Sequence, residues 1–168
     1  MISNVRMEWR MNSFEKIIKE MPLLLEELNS KPMLKKGDIY RDQSCIPKKG
    51  IYALFENSIP IYVGRSNNIK QRLRGHCNQG SDRFSATFAF RLAIKEYEKK
   101  YRKSTKGILR KVLEDDRDFK IMFLDAKARV SEMGIKAIDI DDQITQTIFE
   151  VYVAIKLGTL EFNSFDNH

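Results

Sequence analysis

Two tyrosines and one glutamate are the residues of this 168-residue chain whose types and placement could do chemistry. Tyr52 closes the run Gly50-Ile51-Tyr52, Tyr62 opens the run Tyr62-Val63-Gly64, and the turn-prone pair Asn57-Ser58 lies between them. A separation of ten residues sets the two on adjacent strands of one tight hairpin, where antiparallel pairing can bring their phenols together on one face. Taken alone, such a pair reads as cross-strand packing. Glu150 lies between Phe149 and Val151, in a helical stretch with Ile144, Ile148, Tyr152 and Ile155. That places its carboxylate at the edge of a core, and a buried carboxylate is costly unless it is paired or bound to a metal. Its neighbours one turn away, Gln146, Thr147, Val153 and Ala154, are small or polar enough to leave room for an ion and its waters. A lone carboxylate suits Mg²⁺, which keeps most of its waters and takes further ligands from a substrate phosphate.

The elements that must position these groups can be read from periodicity. Phe14, Ile17, Ile18, Met21, Leu24, Leu25 and Leu28 recur at helical spacing, and Pro22 is expected to divide that stretch into two helical pieces. Residues 1–47 are therefore expected to form an N-terminal helical appendage, ahead of a main domain at 48–168. GIYALF and IPIYVG read as the two strands of the hairpin, followed by a helix capped by Asn67 or Asn68 and running through Ile69, Leu73 and His76. Phe84, Phe88, Ala89, Leu92 and Ala93 predict a long helix ending in the charged run KEYEKKYRK, with a shorter helix around GILRKVLEDD. The segment from Asp118 to Met133 could begin as a strand, FKIMFL, and continue as a helix, a choice that short apolar runs do not settle. Residues 135–140 alternate like an edge or surface strand, and Asp141-Asp142 cap an apolar helix that ends at Gly158. The fold class expected is α/β: a small, twisted, mainly antiparallel sheet begun by a hairpin and flanked by helices.

Taken together, Gly50-Ile51-Tyr52 and Tyr62-Val63-Gly64 resemble the two-part signature of the GIY-YIG nuclease family, with Val63 in place of Ile. RSNNIKQRLRGH is similar to that family's arginine-bearing helix and implies Arg72 and His76 as site residues, an i, i+4 pair sharing one helix face. QTIFEVYVAIKLGT and EFNSFDNH resemble its late glutamate helix and asparagine, here Glu150 and Asn163. The resemblance implies a metal-dependent DNA endonuclease of restriction, repair or mobile-element type, using Mg²⁺ or Mn²⁺ held by Glu150. On this analogy Tyr52, helped by His76 or a lysine, accepts the proton of the attacking water. Arg72 holds the phosphate, and the Glu150-bound metal stabilises the departing 3′ oxygen. Tyr62 positions water or phosphate, and Asn163 orients the site or tethers the C-terminal segment. An unperturbed phenol titrates near ~10, so Tyr52 needs a neighbouring cation or acceptor to serve as base at neutral pH; otherwise His76 is better matched.

The charge balance agrees with a polyanionic partner. Thirty Lys and Arg against 23 Asp and Glu give +7, and the surplus is concentrated: positions 65–111 hold fourteen basic residues against Asp82, Glu96 and Glu98. The candidates for DNA contact are Arg65, Lys70, Arg74, Arg83, Arg91, Lys95, Lys99, Lys100, Arg102 and Lys103. A charge run can equally be a solvated face, which leaves two other functions: a nucleic-acid-binding module that does not cut, and a helical interaction domain with a basic surface. The first residues carry frequent charges without an apolar leader, and no apolar run approaches the ~18 residues of a membrane span, so a cytoplasmic protein is expected. A homodimer is compatible with the sequence. Cys45 and Cys77 stand alone and predict reduced thiols rather than a disulfide or a zinc site.

Overall fold

A computed structural model describes residues 2–163 and Phe165, with the backbone alone for residues 2–13 and 43. Its centre is the hairpin of β1 (Gly50–Glu56) and β2 (Ile59–Ser66). Asn57 and Ser58 turn it with φ of 51° and 67°, left-handed geometry that suits the twist of a two-residue hairpin. A third strand, β3 (Gly134–Asp139), pairs antiparallel with the other side of β1, giving the order β2-β1-β3. The expected α/β class and antiparallel sheet are what the chain forms. Gly50 enters β1 at φ 127°, and a Cβ there would lie 2.1 Å from the carbonyl oxygen of Ile138, so the first glycine of the hairpin is a steric requirement of the β1–β3 contact.

Helices cover both faces. Tyr52, Leu54, Tyr62, Ile135 and Ala137 point into one core, completed by α3 (Ile69–Cys77), α4 (Thr87–Tyr101) and α6 (Arg117–Ser131). The alternate residues Ile51, Ala53, Phe55, Val63 and Ile138 point the other way, onto α1 (Ile2–Ser30) and α7 (Gln143–Leu157). The period of two along β1 therefore feeds two cores, and most of the strand is inaccessible to solvent. Burying that much apolar side chain on both sides is what anchors the hairpin, at roughly 1.5–3 kcal/mol for each large residue. Between α4 and α6 lies the short α5 (Arg110–Asp115).

The N-terminal segment is helical as expected, but Pro22 does not divide it: α1 is continuous from Ile2 to Ser30. Met21 and Leu28 are both buried, on either side of an exposed Pro22, so packing across the proline outweighs its missing donor. After α1 the chain pairs Leu34 with Ile135 through two backbone hydrogen bonds of 2.9 and 2.8 Å, extending the β3 edge, and forms α2 (Lys36–Arg41). FKIMFL is not a strand but the first half of α6. Asp116 caps that helix by accepting from the Phe119 amide at 2.8 Å, and Phe119, Phe123, Ala126 and Val130 form its buried stripe. Phe84 precedes α4 and is exposed, because Asp82 ties the amides of Phe84 and Ser85 into a turn. No described helix is long and apolar enough to cross a membrane.

Candidate active site

β2 is an edge strand, and the sequence-predicted site residues gather around its open edge. Tyr52 pairs with Gly64 and Leu54 with Tyr62, so the two tyrosines sit diagonally on one face, with ring centroids 6.2 Å apart. The phenol of Tyr52 lies flat across β2 where Gly64 offers no side chain: a Cβ on Gly64 would come 2.5 Å from the Tyr52 hydroxyl. The glycine that ends the second triplet thus lets a tyrosine from the central strand reach the edge.

Beyond Gly64 the phenol meets α3. Asn68 caps that helix by accepting from the Gln71 amide at 3.0 Å, and the i, i+4 spacing turns Arg72 and His76 to the same side. His76 Nε2 is 2.9 Å from the Tyr52 hydroxyl, while its Nδ1 is buried and has no hydrogen-bond partner among the described residues. Burial pushes the His76 pKa down to about 3, with the nearby Arg72 charge adding to the shift. The imidazole is therefore neutral at pH 7. Burial also raises the Tyr52 pKa well above the ordinary phenol value, helped by Tyr62, with the Arg72 guanidinium opposing. Tyr62 is raised for the same first reason, and its ring stacks on Phe88 of α4 at 4.4 Å. Arg72 is held by Thr87 Oγ1, which accepts from Nη2 at 2.7 Å, and by the Ser85 carbonyl at 3.3 Å. Beside it opens a polar groove lined by Ser66, Asn68, Gln71, Arg74, Asn78 and Ser81.

Glu150 approaches the same strand from the opposite core. It is partly buried on α7, and Arg65, which follows Gly64 on β2, donates Nε–H to its Oε2 at 3.0 Å. Burial raises the Glu150 pKa, while Arg65 foremost, and Arg72 more weakly, favour the ionised form. Asn163 closes the open edge: its Oδ1 accepts from the Val63 amide at 3.1 Å and its Nδ2 donates to the Val63 carbonyl at 2.6 Å. Thr159 donates to the same Oδ1 at 3.0 Å, so a side-chain amide pairs with β2 as a neighbouring strand would. The geometry of Asn163 is that of a tether.

No group of three His, Cys, Asp or Glu positioned to hold a metal occurs among the described residues. One partly buried carboxylate is nevertheless a donor set that fits a largely hydrated Mg²⁺. Cys45 and Cys77 are both free thiols.

The basic candidates are spread around the molecule. Arg65 is engaged by Glu150, Arg83 by Glu114, Lys95 by Glu161 and Lys100 by Asp118, and Arg91 donates to the Phe162 carbonyl. Lys70 and Arg74 stand on α3 beside the groove, and Lys99, Arg102 and Lys103 belong to the far end of α4. Four partners escaped the sequence reading: Gly64, Thr87, Phe88 and the acceptor role of Ser85. Of these, Gly64 could have been found, since a glycine opposite a tyrosine signals a ring lying across the strand.

Comparison with curated proteins and with solved structures gives no match. Residues 48–108 match the family model described as the GIY-YIG catalytic domain, a span that includes Tyr52, Tyr62, Arg72 and His76 and stops before Glu150 and Asn163. Residues 48–108, with the hairpin and α3 that they carry, are thus similar to the catalytic domain of the GIY-YIG nuclease family.

Proposed function

We propose that the chain is a metal-dependent DNA endonuclease whose working residues are Tyr52, Tyr62, Arg72, His76, Glu150 and Asn163. The observation that carries this reading is the meeting at one strand edge of two phenols, a neutral imidazole and a guanidinium with a partly buried carboxylate from the opposite core. Arg72, fixed by Thr87 and Ser85, binds the scissile phosphate from the groove side. Tyr52 accepts the proton of the attacking water as its own hydroxyl proton passes to His76 Nε2, 2.9 Å away. A buried imidazole that titrates near 3 is a weak acceptor by itself, and the negative charge of the bound phosphate favours its protonated form. Tyr62 orients the water or the phosphate. Asn163 keeps the segment after α7 fastened to β2 and so holds the edge in shape.

Glu150 would hold Mg²⁺ or Mn²⁺, which supplies positive charge for the leaving 3′ oxygen. Arg65, which pairs with Oε2, would share the carboxylate with the ion. The complete burial of Tyr52 and the Arg65–Glu150 pair favour a second reading, a module that binds nucleic acid without cutting it. Incubation of the purified chain with supercoiled plasmid and Mg²⁺, with an EDTA control, separates the two. Metal-dependent nicking or linearisation supports the endonuclease, and salt-sensitive binding without cleavage supports the module.

A further inference from the structure

We propose that α2 and α3 together form a preorganised phosphate clamp for DNA, built from Lys36, Tyr40, Lys70 and Arg74, which carries the substrate away from the catalytic edge. The proposal rests on the reading of DNA as the substrate. Tyr40 is half exposed, and its ring has Arg74 over it at 5.5 Å and Lys36 at 5.9 Å, one cation from each helix. Lys70 lines the same surface, over a floor of Ile39, Leu73, Cys77 and Ile135. Arg74 also lines the polar groove beside Arg72, so the clamp and the proposed phosphate-binding arginine share one continuous wall.

Two features suit this patch to phosphate. Among the described residues, Lys36, Lys70 and Arg74 have no carboxylate within ion-pair distance, whereas Arg83, Lys95 and Lys100 each already hold one. A phosphate bound by Lys36, Lys70 or Arg74 therefore displaces no internal pair. The Tyr40 ring also restrains two long side chains that would otherwise lose rotamer freedom on binding. Unpaired cations, two of them restrained on one ring, beside an arginine at the proposed reaction centre suit the phosphate oxygens of a nucleic-acid backbone. It also gives the segment before the catalytic hairpin a role in binding.

The test is equilibrium binding of the full chain to a short labelled duplex in EDTA, followed by anisotropy at several salt concentrations. The triple variant Lys36→Ala, Lys70→Ala, Arg74→Ala is expected to weaken binding roughly 10-fold for each phosphate that it leaves unneutralised, at about 0.1 M salt. Its log–log salt slope should become shallower by about 0.9 for each such phosphate. Tyr40→Ala is expected to bind about 3-fold more weakly, and Tyr40→Phe, which keeps the ring, to stay near the parent. All four positions are at or near the surface, and circular dichroism verifies that each variant is folded. A folded triple variant with the parent affinity and slope overturns the clamp while leaving cleavage by the parent to stand. Equal weakening in Tyr40→Phe and Tyr40→Ala overturns the role of the ring. A parent chain that does not bind duplex even at low salt overturns both the clamp and the nuclease reading.

Discussion

The two sides of β2 are chemically opposite. On the side of α3 and α4, Tyr52, Tyr62, His76 and Phe88 make a dry aromatic cluster in which burial holds the phenols protonated and the imidazole neutral. On the side of α7, Arg65 and Glu150 form a partly exposed ion pair next to the same strand. The edge strand separates the phenols and imidazole, with Arg72 beside them, from the Arg65–Glu150 pair, and Gly64 is the point at which the Tyr52 phenol reaches past it. Had both sets shared one core, the carboxylate would have pulled the imidazole toward its charged form, and the desolvation that keeps it neutral would have been partly cancelled.

The comparison breaks most completely at Glu150. Glu150→Ala is expected to abolish metal-dependent cleavage while duplex binding is largely retained, as followed by plasmid nicking and anisotropy. A folded variant that still cuts near the parent rate would show that the carboxylate side is not needed. On the aromatic side, Tyr52→Phe and Arg72→Ala are each expected to slow single-turnover cleavage by at least ~100-fold, the scale for losing a proton acceptor or a preorganised charge. Parent rates in both would sink the proposed roles.

Gly64→Ala probes the boundary between the two sides. Its Cβ would press on the Tyr52 hydroxyl, and overpacking of this kind costs ~1–3 kcal/mol, measurable by urea unfolding. Unchanged stability would mean that the ring moves aside freely. The smallest effect is the pH linkage of His76. Its pKa of about 3 in the folded chain lies below the ordinary value of 6.5, so the unfolded chain binds the extra proton between those values. Stability is then complete above about 6.5 and falls as the pH drops toward 3, by up to about 1.4 kcal/mol per pH unit from this one group. His76→Gln should flatten that part of the profile, and a profile identical to the parent's would show that the imidazole is not buried neutral.

The hairpin was legible because its information is local. Alternating β-formers and a two-residue turn set the pairing of Glu56 with Ile59. A shift of register between Leu54 and Phe55, which the spacing does not show, places Tyr62 opposite Leu54 and so on the face of Tyr52. The caps of α3 and α7, Asn68 and Asp142, were readable for the same reason, since a cap acts within three residues. Pro22 was misread, and FKIMFL could not be settled between strand and helix, because local propensity there is overruled by burial. Met21 and Leu28 hold α1 together from both sides of the proline, and the stripe Phe119, Phe123, Ala126 and Val130 has meaning only against α4 and the sheet.

The sequence by itself determined the strands of the hairpin, the caps, the spacing of the phenols and the helix face shared by Arg72 and His76, all of which follow from local chemistry and periodicities of two and 3.6 residues. Tertiary structure decided which cations are already paired, that Glu150 comes to β2 from the opposite core, and that Asn163 closes the strand edge across 100 residues of chain. Those outcomes depend on burial and on partners distant in sequence. Charge pairing and desolvation are properties of a neighbourhood, and the neighbourhood exists only once the two cores have closed on the sheet.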